Sequence, residues 1–77
     1  MKIEYTGYAE MKIRKRGLSK EQIENAIKNP DKILEGEEGR KIAQKSISGY
    51  LLRVVFEHHG NTYKVITAYY SKPERYK

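Results

Sequence analysis

The densest run of apolar positions is Tyr50–Tyr70, and it reads as two strands folded on a turn at His59-Gly60-Asn61. Val, Ile, Phe, Tyr and Thr dominate it, the residues that suit a pleated, half-buried surface. Gly60-Asn61 supplies the positive φ that a tight hairpin requires. In the first strand Leu52, Val54 and Phe56 share one face, and Leu51, Arg53 and Val55 share the other. In the second, Tyr63, Val65 and Thr67 alternate with Lys64, Ile66, Ala68 and Tyr70. Both faces are largely apolar, as in central rather than edge strands. The expectation is helices on one face and a shallow, basic, tyrosine-lined surface on the other.

Upstream the apolar period changes to that of helices. Thr6 is placed to cap a helix over Tyr8–Arg16, and Gly17 to end it. Ala9 and Ile13 form its buried stripe, beside a line of Tyr8, Lys12 and Arg16 at i, i+4, i+8. Ser19 and Gln22 form a capping box for a second helix, with Leu18 and Ile23 as a hydrophobic staple. Ile23, Ala26 and Ile27 are its apolar stripe, and Asn29-Pro30 stops it. Strands follow at Lys32–Glu35 and Arg40–Ser48, joined by a turn at Gly36–Gly39, and Ser48-Gly49 opens the next hairpin. Lys2–Tyr5 reads as a short strand or a lead-in. The pattern therefore predicts one α+β domain over 1–77: two N-terminal helices packed on a four-stranded antiparallel meander. Leu52, Val54, Phe56, Val65, Ile13, Ile23 and Ile27 are the expected core.

Size and charge narrow this further. A chain of 77 residues buries only about 60–65% of its unfolded surface, so its core is thin. Without cysteine it has neither disulfides nor thiolate metal sites. No apolar run approaches a membrane span and no secretory leader is evident, which predicts a soluble cytoplasmic protein with no membrane partner. The net charge of +6 is unevenly spread: +3 over residues 1–19, −3 over 20–38 and +6 over 39–77. Basic segments rich in tyrosine point to a polyanion, nucleic acid first, and the plainer alternative is an ordinary soluble surface.

The residues exclude several chemistries. There is no H-E-x-x-H, no Gly-rich phosphate loop and no G-x-S-x-G. His58 and His59 are adjacent in a strand, so they point to opposite faces and do not clasp one metal. No metal or cofactor is expected. What remains is Arg, Lys and Tyr, which bind phosphodiesters by charge and hydrogen bonding and stack on bases. The same groups can cleave RNA without metal: the 2′-hydroxyl attacks phosphorus, a base takes its proton, cations hold the developing charge and an acid protonates the leaving oxygen. The catalytic candidates are Arg53, Tyr70, Arg75 and Tyr8, with Lys12, Arg16, Arg40, Lys64 and Lys72 as nucleic-acid contacts. Arg53 stands out because it interrupts an apolar run, so it is either paired, with Glu57 or Glu4 the obvious carboxylates, or part of a site. The expectation is that Arg53, Tyr70 and Arg75 converge on one phosphate-sized surface with Lys12 and Arg16 at its margin. For Lys12 and Arg16 the alternative is that their stems lie on the core and snorkel to water.

Several of these segments resemble a family of small prokaryotic proteins of unknown function in the RelE/ParE-like toxin superfamily, near the BrnT-type toxins. The carriers are Arg16-Gly17-Leu18-Ser19, Asn29-Pro30, Leu52-Arg53-Val54-Val55 and Val65-Ile66-Thr67-Ala68-Tyr69. Tyr8 stands where that family usually has His, and Lys12 where it has Arg. The resemblance implies a RelE-like fold and a toxin of a toxin–antitoxin pair, a metal-independent endoribonuclease whose target is RNA, ribosome-associated mRNA included. It also implies a cognate antitoxin protein as partner. The rival expectations are a non-catalytic module binding nucleic acid or protein, and a homodimer formed through an exposed apolar sheet face.

Overall fold

The structure, a computed structural model, describes residues 1–72. In chain order they form β1 (Lys2–Tyr5), α1 (Gly7–Arg16), α2 (Lys20–Lys28), β2 (Lys32–Glu35), β3 (Lys41–Ile47), β4 (Tyr50–His59) and β5 (Thr62–Ser71). Both helix starts are capped as their sequences dictate. The Thr6 hydroxyl accepts from the Ala9 N–H at 2.9 Å, and the Ser19 hydroxyl accepts from the Gln22 N–H at 3.3 Å. α1 ends at Gly17, whose φ of 65° is left-handed. The Leu18 N–H then donates to the Ile13 carbonyl at 2.9 Å, the hydrogen bond of a Schellman stop, and Leu18 packs onto the core beside Ile13. α2 ends before Asn29-Pro30 because the residue before proline is driven out of the α region.

The strands form one sheet in the order β1-β5-β4-β3-β2. β2 to β5 are the antiparallel meander that the turns predict. In the β3–β4 hairpin both loop residues have positive φ, 50° at Ser48 and 85° at Gly49, as a primed type I turn demands. The expected four-stranded antiparallel sheet is nevertheless incorrect. The sheet has five strands and is mixed, because β1 pairs in parallel with β5, Ile3 opposite Tyr63 and Tyr5 opposite Val65. The physical reason lies in β5 itself. It is apolar on both faces and carries unpaired backbone groups along its outer edge, and β1 satisfies the first half of that edge. Four residues with no strong pattern carried too little signal to show a pairing partner at the far end of the chain.

The second half of that edge is met by a helix. The Thr6 N–H donates to the Val65 carbonyl at 3.1 Å and the Thr6 hydroxyl to the Ile66 carbonyl at 3.4 Å. Farther on, Arg16 Nη1 donates to the Ala68 carbonyl at 2.8 Å. α1 thus runs along β5 where a strand would otherwise lie. At the changeover sits a β-bulge. Val55 pairs with Thr67 but Phe56 pairs with Val65, which leaves Ile66 as the extra residue.

Both helices pack on one face of the sheet. Ala9, Ile13, Ile23, Ala26 and Ile27 meet Ala43, Leu52, Val54, Phe56, Val65 and Ala68 in a single cluster, which contains every expected core residue. Ile23, Leu52, Val54 and Val65 are its largest fully buried side chains. Phe56 is the lone Phe of the chain and packs against Tyr63 with ring centroids 5.5 Å apart. Phe56→Ala is expected to lower unfolding free energy by about 3–5 kcal/mol, measured by urea denaturation. A loss below about 1 kcal/mol would place Phe56 outside the core.

Candidate nucleic-acid interface

Register and bulge together decide which side chains share the sheet face away from the helices. Lys32, Gln44, Arg53 and Tyr69 form one row across β2, β3, β4 and β5. A second row of Leu34, Ile42, Val55 and Thr67 lies on one side of it, and Ser46, Leu51 and Ser71 lie on the other. The intervening residues Ala43, Val54 and Ala68 face the helices. The polar row therefore crosses a largely apolar, half-buried face.

Arg53 is at its centre and only 6% exposed. Its Nε donates to the Tyr69 hydroxyl at 3.1 Å and its Nη1 donates to the Gln44 side-chain carbonyl. The guanidinium carbon lies 6.0 Å from the Tyr69 ring centroid. A buried charge is tolerable only with such partners. Together these two contacts fix the guanidinium in place. Because the Tyr69 oxygen accepts from Arg53, its own O–H proton remains a donor for another group. The geometry offers a cation and a phenol donor side by side.

Arg16 brings a second cation to this surface. Besides the Ala68 carbonyl it reaches the Thr67 hydroxyl at 3.4 Å, and with Leu18, Tyr69 and Tyr70 it lines a cavity of about 480 Å³. Lys12 lies on the same helix line, its ammonium 5.3 Å from the Tyr8 ring centroid. The expected line of Tyr8, Lys12 and Arg16 thus runs along the β5 margin, and its C-terminal end meets Tyr69. Tyr8 itself is exposed on α1.

Other candidates fall elsewhere. Tyr70 is on the helix side of the sheet, where its hydroxyl donates to Gln22 Oε1 at 2.5 Å, so it does not converge with Arg53. Arg75 lies outside the described residues. Arg40 pairs with Glu57 at 3.1 Å and Glu38 at 3.9 Å at the far end of β4. Lys64 is exposed opposite Glu57, and Lys72 is exposed beside Tyr50, Tyr70 and Ser71. The carboxylates considered as partners of Arg53 are engaged by others: Glu57 by Arg40 and His59, and Glu4 by Lys2. Gln44 and Tyr69 were not among the expected site residues. Counting back from the Ser48-Gly49 turn places Gln44 opposite Arg53. The same count from Gly60-Asn61 places Ala68 there, and only the bulge brings in Tyr69. Among the described residues no cluster of His, Cys, Asp or Glu could hold a metal ion, and no helix is long and apolar enough to cross a membrane.

A family model described as a domain of unknown function matches residues 5–70. The chain belongs to the DUF4258 family. In this DUF4258 chain the matched span runs from the end of β1 almost to the end of β5 and takes in the whole Gln44–Arg53–Tyr69 row. No curated protein and no solved structure matches the chain.

One charged group at the rim of this DUF4258 sheet has a shifted pKa. The Glu57 carboxyl is held below its ordinary range, first by the hydrogen bond from His59 and then by that from Arg40. A lowered carboxyl pKa contributes stability above the ordinary glutamate pKa, and that contribution is lost as pH falls through the folded value. Thermal unfolding followed from neutral to about pH 3 should show a falling Tm in the acid range. Glu57→Gln should flatten that part of the profile. An unchanged acid slope in the variant would show that the carboxylate is uncoupled from folding.

Proposed function

We propose that the protein acts on RNA without metal, as the endoribonuclease toxin of a toxin–antitoxin pair, with Arg53 and Tyr69 at its site. The observation that carries this reading is the fixed guanidinium–phenol pair in the middle of the helix-free sheet face. The resemblance of Arg16-Gly17-Leu18-Ser19 and Leu52-Arg53-Val54-Val55 to RelE/ParE-like toxins supports it from a separate direction. In this mechanism Arg53 holds a non-bridging phosphate oxygen and the charge that grows on it. The 2′-hydroxyl attacks phosphorus and releases its proton to solvent water, while the Tyr69 hydroxyl gives its proton to the leaving 5′ oxygen and is reprotonated from solvent. Arg16 and Lys12 hold neighbouring phosphates as the strand passes along the α1 margin. The proposed partners are RNA and an antitoxin encoded beside the gene, and the proposed compartment is the cytoplasm.

A second reading, a non-catalytic nucleic-acid-binding module, is favoured by one observation. Tyr70 and Tyr8 do not reach Arg53, so among the described residues Tyr69 is the one phenol that touches it. The two readings separate in a cleavage assay on labelled RNA with excess EDTA. The toxin reading expects cleavage that persists in EDTA and falls about 100-fold or more in Tyr69→Phe, with RNA affinity within a few-fold of wild type. Arg53→Gln should abolish cleavage and growth inhibition while unfolding remains cooperative. If Arg53→Gln only lowers Tm, with activity per folded molecule unchanged, the Arg53 row is structural. Binding without cleavage selects the module.

Both readings expect salt-sensitive RNA binding, because each phosphate contact releases counterions. With about four contacts to a single strand, log K should fall with log salt at a slope of about −3. Affinity unchanged between low and moderate salt would count against RNA as the ligand.

A further inference from the structure

On the helix side, the sheet end formed by the start of β4 and the end of β5 carries a second set of aromatic rings. Tyr50 is 49% exposed and Tyr70 39%. The other described tyrosines that make ring contacts lie against partners elsewhere: Tyr5 under Lys20, Tyr8 under Lys12, Tyr63 against His58 and Phe56, Tyr69 against Arg53. Tyr50 and Tyr70 meet each other edge to face, centroids 6.4 Å apart with 68° between their planes. They form an open corner whose floor is Ile47 and whose wall is Gln22. The cavity there is about 360 Å³, within the range of sites that hold a small organic ligand.

Its surroundings choose the ligand. Tyr70 also lines the adjoining cavity shared with Arg16 and a third shared with Lys72. None of the described residues lining the three cavities is acidic. An aromatic corner with a cation on either side suits a flat ring joined to phosphates. Gln22 accepts from the Tyr70 hydroxyl through Oε1, which leaves its amide N–H groups to meet acceptors on the ring edge. We infer that the Tyr50–Tyr70–Gln22 corner is a nucleobase subsite for single-stranded RNA, in which one unpaired base stacks on Tyr50 while Arg16 and Lys72 hold the flanking phosphates. This rests on RNA being the ligand and extends the proposed path from the Arg53 face around the end of β5, past Arg16. A duplex keeps its bases stacked and cannot enter, so the subsite selects unpaired RNA.

The test uses the full chain and a fluorescein-labelled 2′-O-methyl oligoadenylate, which cannot be cleaved, beside its duplex with oligouridylate. The single strand should bind about tenfold more tightly than the duplex. Tyr50→Ala should weaken single-strand binding about tenfold, from loss of one base–aromatic stack, while Tyr50→Phe stays within about twofold. The Ile47 methyl resonances of wild-type protein should shift on titration with the oligonucleotide, a readout that needs no variant to fold. Equal affinity for the duplex, an unaffected Tyr50→Ala variant or an unmoved Ile47 methyl would each overturn the subsite. Ile47 shifts with an acidic aromatic peptide but not with RNA would overturn it in favour of a protein partner. Since the probe resists cleavage, Tyr50-dependent binding by a protein that cleaves no RNA would uphold the subsite and remove the toxin reading alone.

Discussion

The bulge at Ile66 decides what each face of this sheet carries. Before it, Val65 points to the core with Phe56; after it, the parity of β5 is reversed, so that Ala68 and Tyr70 face the helices and Tyr69 faces away. Were Ile66 paired in a regular ladder, Ala68 would lie opposite Arg53 and Tyr69 would turn inward. The bulge is also where β1 gives way to α1, with Thr6 bonding the carbonyls on both sides of the change, Val65 and Ile66. A local irregularity in backbone pairing thus fixes the edge cover, the core and the polar row together.

Arg16 shows how one residue can serve fold and surface at once. Its guanidinium closes the outer edge of β5 on the Ala68 carbonyl and still lines the cavity beside Tyr69 and Tyr70. Arg53 differs. It sits between Gln44 and Tyr69 in a central strand, where its position is set by register and not by the reach of a flexible stem.

Local patterns in the sequence were reliable wherever a single element determined the outcome. Caps at Thr6 and Ser19, the stop at Gly17, the helix limit at Asn29 and the hairpin at Ser48-Gly49 all follow from nearest-neighbour chemistry. The expected core residues were legible for the same reason, since their strands and helices are strongly periodic. The parallel pairing of β1 was not, because it joins two ends of the chain and rests on the needs of β5. Half of the polar row could be found by counting from a turn, which reaches Gln44. Tyr69 could not, because a bulge leaves the strand's composition unchanged and moves only its register. Arg53 was visible as a charge in an apolar run, yet its partners depended on geometry that no single strand contains.

Among the described residues the sheet's outer strands are β1 and β2, four residues each, while the long strands β4 and β5 lie inside it. Lys2 and Glu4 occupy one edge, Lys32 and Glu35 the other. Short charged borders make poor templates for another molecule's backbone, and the longest apolar strands are shielded from strand addition. The uncharged stretch Val65–Tyr70 would otherwise be a candidate for fibril growth in concentrated solution. Here the same helix that carries the cations also caps the strand most prone to it, so loss of α1 docking would appear as aggregation before it appeared as any change in binding.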